Sequence, residues 1–267
     1  MIDLSSASKE KNLGVNAASL DLSKIPDIQQ PEPASDGRIM VLSKYGYATK
    51  ELIGPSKDFV EYASTCKLPV LDIGAAYGEA TVAALKKGAT VIANEVGEDS
   101  LLYIAKRKDL TDDDRKRLYL KQGFSPFGID FEPCSLGAIH CSRVMHYFKP
   151  EDVEGMFKKA HEWLAEGGRF FLITSSPYHW VTPKGFYKVY EKKLKEGVKF
   201  PGVITDFSYR ENENYKIGQQ YNHSMDPNLI FRLATENDFM IKLLGLLPGR
   251  GEFDYTMAIL VKKDFQE

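Results

Sequence analysis

A strand-turn-helix segment at residues 70–81 carries the side chains of this chain that are best suited to chemistry. A short apolar run ends in Asp72, and a turn of small residues follows, Gly74, Ala75, Ala76 and Gly78. A turn with so little side-chain bulk lets its backbone lie directly against a ligand. A second apolar run ends in Glu95, where a carboxylate can accept two hydrogen bonds from a ribose diol.

The spacing of the small residues separates two classes of ligand. A dinucleotide-binding turn has the pattern G-x-G-x-x-G, which places a pyrophosphate on the N-terminus of the following helix. Counted from Gly74, this chain has Ala76 and Glu79 where the second and third glycines would be. The Glu79 carboxylate would repel a pyrophosphate, whereas Asp72 suits a ligand that carries a cationic amino group. The pattern disfavours a nicotinamide dinucleotide and leaves an ordinary glycine-rich turn without a ligand as the other alternative.

Two stretches resemble one enzyme family. Residues 72–78, Asp-Ile-Gly-Ala-Ala-Tyr-Gly, resemble the D/E-x-G-x-G-x-G signature of class I S-adenosylmethionine-dependent methyltransferases, with Ala76 in place of the middle glycine. Residues 164–173 are similar to the L-x-P-G-G-x-h-h-h stretch of that family, with Glu166 in place of the proline. The resemblance covers residues 68–175 and, more loosely, 226–263. It implies an α/β fold, a Rossmann-like three-layer sandwich with a seven-stranded, mostly parallel sheet, an antiparallel last strand and a lid insertion.

The resemblance also implies S-adenosylmethionine as the cofactor and S-adenosylhomocysteine as its product. In the family, the acid before the turn acts on the methionine end and the acid after the second strand acts on the ribose hydroxyls. Tyr77 either covers the methionine moiety or is exposed on the turn. The loop after the third strand contains no acid, so Gly123 and Phe124 are its candidates for the adenine. The implied cofactor-binding residues are Asp72, Gly74, Ala75, Ala76, Tyr77, Gly78, Glu95, Val96, Gly123, Phe124 and Ser142.

The catalytic residue is not identified by spacing. The sulfonium methyl group is already electrophilic, so an enzyme mainly aligns the reactants and, where needed, removes a proton. In the loop after the fourth strand, Arg143 either steers an anionic substrate or is a solvated charge, and His146 is either a general base or a packed histidine. Tyr178 is a third candidate. Further residues that would line the pocket by fold position are Tyr45, Tyr47 and His179.

The elements that must position these residues follow from apolar periodicity and cap signals. Pro150, Glu151 and Asp152 start the clearest helix, which we expect Gly167-Gly168 to end. We expect strands at about 68–73, 90–95, 118–121, 136–142 and 169–174, and a closing hairpin of 239–247 with 255–262. We expect helices at 81–87, 98–107 and 226–238, with two shorter helices near 49–52 and after Pro55. Residues 111–116 are interpreted as a charged loop or a helix cap.

Residue composition and the positions of structure-breaking residues predict the domain organisation. Residues 1–36 are rich in Ser, Ala, Asp, Gln and Pro and are interpreted as an N-terminal arm. We expect residues 37–267 to form the methyltransferase domain. Within it, residues 176–225 break the strand-helix rhythm and are dense in aromatic side chains, which is typical of a substrate-lid insertion in this family.

The whole-chain composition bounds the class of protein. A formal net charge of −2 gives no electrostatic signal for nucleic acid, so we expect a small-molecule or protein methyl acceptor. Three cysteines without a C-x-x-C pair read as reduced thiols, and no metal site is expected. The sequence lacks a signal-peptide pattern and any long apolar run, so we expect a cytoplasmic enzyme without membrane contact. The alternative is a non-catalytic S-adenosylmethionine-binding or interaction module of the same fold; oligomeric state is not predicted.

Overall fold

The elements of the fold were located in a computed structural model that describes Leu4 and residues 11–180, 182–183, 185–205 and 221–263. The strands are β1 (Val15–Asn16), β2 (Ile39–Met40), β3 (Tyr47–Ala48), β4 (Val70–Ile73), β5 (Val91–Glu95), β6 (Leu118–Gln122), β7 (Leu136–Ser142), β8 (Leu164–Ser175), β9 (Val203–Ile204), β10 (Asn222–His223), β11 (Phe239–Leu247) and β12 (Tyr255–Lys262). The helices are α1 (Pro55–Ala63), α2 (Glu79–Lys86), α3 (Glu98–Ala105), α4 (Asp112–Lys116), α5 (Pro150–Trp163), α6 (Phe186–Lys195) and α7 (Pro227–Glu236).

Eight strands form one sheet in the order β1-β6-β5-β4-β7-β8-β12-β11. Strands β4 to β8 are parallel to one another, whereas β1 pairs antiparallel with β6, β12 with β8, and β11 with β12. The chain moves outward to one side of β4 through β5 and β6 and then returns to its other side as β7. Such a reversal opens a crevice at the carboxyl ends of the central strands. The predicted Rossmann-like α/β class is confirmed, with β1 added to the seven predicted strands.

The side chains of the central strands alternate between the two faces of the sheet and contribute to an apolar core on each face. Leu71 and Ile73 of β4 belong to the core that contains α5 and α7, whereas Val70 belongs to the core that contains α1, α2 and α3. Successive side chains of a strand point to opposite faces, so a strand buried on both faces must be apolar nearly throughout. Every residue of β4 and β5 is buried, and this makes the polar Asp72 and Glu95 exceptional.

The long helix α5 begins as predicted but ends earlier. Pro150 occupies its first turn, where the missing N–H costs nothing, and acidic side chains follow. The prediction that Gly167-Gly168 ends this helix was wrong, because α5 stops at Trp163 and β8 begins at Leu164. The glycines lie within the irregular start of β8, where the pairing with β7 shifts register and Gly167 has a φ of +74°.

Other boundaries test the sequence interpretation further. The short helix predicted near 49–52 was wrong, because residues 47–48 form β3 and residues 49–53 are irregular. The helix after Pro55 is confirmed as α1, and residues 111–116 form α4 with Thr111 as its capping residue. The predicted lid at 176–225 falls partly on residues 181, 184 and 206–220, outside the described residues. Its described part contains α6 and the hairpin of β9 with β10.

Part of the segment predicted as an arm packs against the domain. Val15 of β1 pairs with Leu120 at the edge of β6. Ala17 and Ile25 are buried in the core of α1, α2 and α3, and the Lys106 ammonium donates a hydrogen bond of 2.8 Å to the Ile25 carbonyl. Residues 15–25 therefore pack as part of the folded domain, although only Val15 and Asn16 belong to the sheet. No helix in the described part of the chain combines the length and the apolarity needed to cross a bilayer.

Truncating Ile25 tests this packing. Ile25→Ala removes buried methyl groups, so we expect the free energy of unfolding to fall by about 2–4 kcal/mol in urea denaturation. Lys24→Ala changes an exposed neighbour and should alter it by less than about 0.5 kcal/mol. Equal, near-zero effects of the two substitutions would contradict a packed segment.

Candidate functional site

A cavity of about 690 Å³ lies at the carboxyl ends of β4, β5 and β7, where the strand order reverses. Its walls come from the turn after β4 and from the loops after β5, β6 and β7. Every residue predicted to bind the cofactor lines this cavity except Gly78, which lies behind the turn. The predicted residues on the wall are Asp72, Gly74, Ala75, Ala76, Tyr77, Glu95, Val96, Gly123, Phe124 and Ser142.

The backbone of the turn after β4 requires small residues. Gly74 has a φ of +65°, and a Cβ there would lie 2.3 Å from the Val144 side chain. Gly78 has a φ of +83°, and a Cβ there would lie 2.9 Å from Ile104. Ala76, at the position of the middle glycine, also has a positive φ of +50°. Alanine in this region costs on the order of 1 kcal/mol, so the turn retains its shape at a small strain.

The Glu95 carboxylate is buried and held by the backbone. Its Oε1 accepts a 2.9 Å hydrogen bond from the Ala76 N–H, and its Oε2 accepts one of 3.1 Å from the Val96 N–H. Burial raises the pKa of Glu95, and the negative charge of Asp72 raises it further, while the two N–H groups lower it. Each carboxylate oxygen has a second lone pair. Glu95 is therefore fixed at the cavity wall with capacity for two more donors.

Asp72 belongs to a buried network that sequence reasoning missed. Its Oδ2 accepts a hydrogen bond of 2.7 Å from the Thr81 hydroxyl of α2, and its Oδ1 lies 2.7 Å from Nδ1 of His140. His140 faces Asp72 directly across β4 and β7, and its Nε2 lies 2.9 Å from Oγ of Ser56 in α1. The imidazole stacks on Phe59 with ring centroids 4.7 Å apart. The carboxylate is thus fixed by two strands and two helices.

The order Ser56–His140–Asp72 matches that of a nucleophilic triad, but its placement differs. A nucleophilic serine must reach a substrate carbonyl. Ser56 borders the large cavity together with His140, but it has no solvent-exposed surface from which to attack a substrate. The network is better suited to holding Asp72 at one position on the cavity wall.

The loop after β7 places three predicted residues differently from one another. The Ser142 hydroxyl is buried on the cavity wall without a hydrogen-bond partner among the described residues. Arg143 is not a solvated charge, because its guanidinium is enclosed, donates to the Thr49 hydroxyl and has its pKa lowered by burial. It lies where the large cavity meets a smaller one of about 60 Å³.

His146 lines only the smaller cavity. Its ring packs on Tyr147 with centroids 4.1 Å apart. Burial, followed by the neighbouring His179 and Arg143, lowers the pKa of His146 to about 3. A base with so low a pKa takes up a proton poorly near neutrality. This favours the packed alternative for His146.

The remaining aromatic candidates divide between the walls and the surface. Tyr77 is buried rather than exposed on the turn, its hydroxyl donates to the Met40 carbonyl, and burial raises its pKa to about 12. Tyr45 and Tyr47 line the large cavity, and His179 lines the smaller one. Tyr178 is half-exposed and lines neither cavity.

Two polar residues that sequence reasoning missed hold the loop after β6: Asn94 near the end of β5 and Ser125 in the loop itself. The Asn94 amide donates hydrogen bonds to the Lys121 and Gly123 carbonyls, and the Ser125 hydroxyl donates to the Asn94 oxygen over 2.8 Å. Phe124 remains 45 % exposed, with its ring 5.4 Å from that of Phe148. This loop therefore presents an apolar ring on a hydrogen-bonded base. In the described ranges, no three His, Cys, Asp or Glu side chains converge as metal ligands.

Comparisons with known proteins agree with this geometry. Residues 71–170 match the family described as a methyltransferase domain. A search of curated proteins gave no significant match. Among solved structures, a S-adenosylmethionine-dependent methyltransferase from Methanosarcina mazei has a TM-score of 0.59 at 16 % identity, over 80 % of this chain and 99 % of that chain.

Two further solved structures share the fold. A glycopeptide N-methyltransferase complexed with S-adenosylmethionine has a TM-score of 0.52 at 20 % identity, over 78 % of this chain and 87 % of that chain. The 1,6-didemethyltoxoflavin-N1-methyltransferase of Burkholderia thailandensis has a TM-score of 0.53 at 14 % identity, over 79 % of each chain. Residues 71–170 therefore match a methyltransferase domain, and the strand order and the turn after β4 give the chain the fold of these solved methyltransferase structures.

Proposed function

We propose that this protein is a methyltransferase that binds S-adenosylmethionine in the large cavity. The observation that carries the proposal is the pair of buried carboxylates, Asp72 and Glu95, on one cavity wall with the small-residue turn between them. Burying two carboxylates costs free energy that a structural role alone does not require. Solved relatives of the same fold hold S-adenosylmethionine or S-adenosylhomocysteine, which supports the same ligand here.

The chemistry of the walls fits that cofactor. Asp72 provides negative charge for the methionine ammonium, and Glu95 has free lone pairs for the ribose hydroxyls. The exposed ring of Phe124 offers an apolar surface for the adenine. The Ser142 hydroxyl, which is buried without a partner among the described residues, would gain one from a bound ligand. A volume of about 690 Å³ lies within the range of about 300–1,000 Å³ found for small-molecule sites.

When bound, the cofactor supplies an electrophilic methyl group, and the protein orients the reactants around it. The network of Thr81, His140 and Ser56 holds Asp72 in place, so little reorganisation accompanies binding. The left-handed turn lets the backbone approach the ligand closely. Arg143 and the tyrosines that line the large cavity position the methyl acceptor in this proposal. The proposal assigns no residue as an obligatory base.

The acceptor is proposed to be a small molecule or a protein side chain rather than a nucleic acid. The formal net charge of −2 supports this, because a nucleic-acid enzyme typically presents a basic face. Five tyrosines line the large cavity, which suits a small organic acceptor: Tyr45, Tyr47, Tyr77, Tyr147 and Tyr221. The predicted lid at 176–225 contributes Tyr221 to this cavity and His179 and Asn222 to the smaller one.

Removing either carboxylate tests the cofactor assignment. Asp72→Asn and Glu95→Gln each preserve size but remove a charge, so we expect each to weaken S-adenosylhomocysteine binding at least about tenfold, about 1.4 kcal/mol, in titration calorimetry. Asp99→Asn removes an exposed acid that does not line the cavity and should leave the affinity within about twofold. Unchanged affinity in folded Asp72→Asn and Glu95→Gln variants would overturn the assignment.

The raised pKa of Glu95 predicts a pH dependence of cofactor binding. Glu95 loses its charge on acidification at a higher pH than an ordinary glutamate, whose pKa is about 4.3. The affinity for S-adenosylhomocysteine should therefore fall as the pH is lowered from 7 through the raised pKa. Glu95→Gln cannot titrate, and its weaker affinity should change less over the same range. Identical pH profiles for the two proteins would show that Glu95 does not contact the ligand as a carboxylate.

A further inference from the structure

A small polar cavity opens beside the proposed cofactor site. It has a volume of about 60 Å³ and shares four wall residues with the large cavity, Tyr47, Thr49, Arg143 and Tyr147. Its far wall is built from the end of β8, from β10 and from the start of β12, at Ser175, Asn222 and Tyr255. None of these three residues belongs to the proposed cofactor site. The small cavity is thus a side chamber next to the place where an acceptor must enter.

Three polar atoms around this chamber have no hydrogen-bond partner among the described residues. They are Oγ of Ser175, Oδ1 of Asn222 and Nδ1 of His146. Ser175 is 3 % exposed and Asn222 is 5 % exposed, so bulk solvent does not satisfy them. A buried polar group without a partner costs about 1–3 kcal/mol. A ligand that accepts hydrogen bonds would satisfy the Ser175 hydroxyl and a protonated Nδ1 of His146, whereas Asn222 would serve such a ligand only with its amide turned to present the Nδ2 donor.

The charge of the chamber comes from Arg143. Its guanidinium donates a hydrogen bond to the Thr49 hydroxyl, the Tyr255 side chain lies on the same chamber wall, and Arg143 forms no ion pair within the described part of the chain. The nearest acid acting on it, Glu51, is exposed and stays beyond ion-pair distance. A guanidinium carries five N–H donors, so several remain for a ligand.

Further basic groups lie on or near the chamber wall. Arg38 is paired with Asp36 at 2.8 Å, and the same carboxylate also pairs with Arg250 at 3.2 Å. The low pKa of His146 keeps its ring neutral near pH 7. Arg143 has no ion-pair partner among the described residues, so the chamber is complementary to an anion whose oxygens match one guanidinium fork.

We propose that this chamber binds the carboxylate of the methyl acceptor, and that the acceptor is a small monocarboxylic acid. The inference rests on the proposed methyltransferase function, since it names the substrate class of the same site. A carboxylate matches the planar guanidinium fork of Arg143 and fits a chamber of this size. The body of the acid lies between Tyr47 and Tyr147, which line both cavities, and the methylated atom lies in the large cavity.

The experiment uses the full chain saturated with S-adenosylhomocysteine, titrated with sodium benzoate, with benzamide and with inorganic phosphate. Benzamide matches benzoate in shape but lacks the charge. We expect benzoate to bind at least tenfold more tightly than benzamide and phosphate to bind more weakly than benzoate. Arg143→Gln should abolish the preference for benzoate, whereas Arg232→Gln, which removes an arginine paired with Glu236 on α7, should retain it.

The outcomes separate the two proposals. Equal affinity for benzoate and benzamide, tighter binding of phosphate, or a retained preference in Arg143→Gln would overturn the carboxylate site while leaving cofactor binding intact. No binding of S-adenosylhomocysteine would overturn the proposed function together with this inference. If Arg143→Gln does not fold, Ser175→Ala provides the test, since it should weaken benzoate binding several-fold, and an unchanged affinity would contradict the proposal.

Discussion

The fold depends on one carboxylate, that of Asp72, which is buried where the strand order of the sheet reverses. Asp72 lies one residue before the end of the central strand β4, where the strand order reverses, and it is 2 % exposed. An isolated carboxylate in such a position is costly, so its oxygens need fixed partners. Thr81 and His140 provide these partners, and the Ser56 hydroxyl is the hydrogen-bond partner of the second imidazole nitrogen of His140. The need to satisfy one charge thereby ties β4 to β7, α1 and α2 around the cavity.

The turn after β4 depends on close contacts as well as on backbone freedom. Gly74 lets the Val144 side chain of the loop after β7 approach, and Gly78 lets Ile104 of α3 approach. The same turn donates the Ala76 N–H to Glu95 of β5. One loop therefore fixes the relative positions of three strand ends. A ligand in the cavity meets a wall that is already formed, which lowers the ordering cost of binding.

Local patterns predicted the parts of the fold that depend on local physics. The apolar run ending in Asp72, the proline start of α5 and the hairpin of β11 with β12 each have a strong signal within a few residues. The strand β1 carries only two residues and gains its place by pairing with β6, about a hundred residues later in the chain. Pairing of that kind has no local signature, so residues 15–25 were assigned to an arm.

In the candidate site too, the features with a local sequence signal were predicted and those that depend on long-range contacts were not. The turn and the two acids follow from spacing, and all but Gly78 of the residues assigned to the cofactor lie on one cavity. His140 and Ser56 are 84 residues apart in sequence and meet where α1 packs against β7, while the register of β4 with β7 places His140 beside Asp72. A histidine inside the apolar strand 136–142 was the available signal, and its register opposite Asp72 was not predictable from one sequence. The chamber beside Arg143 likewise joins β8, β10 and β12, which come together only in the folded chain.

The measurement that tests the central claim most directly is a calorimetric titration of the purified protein with S-adenosylhomocysteine and, in parallel, with NADH. The arrangement of Asp72, Glu95 and the turn between them predicts saturable binding of S-adenosylhomocysteine at one site per chain and no binding of NADH, whose pyrophosphate would meet the Glu79 carboxylate at the start of α2. Binding of NADH without binding of S-adenosylhomocysteine would contradict the account.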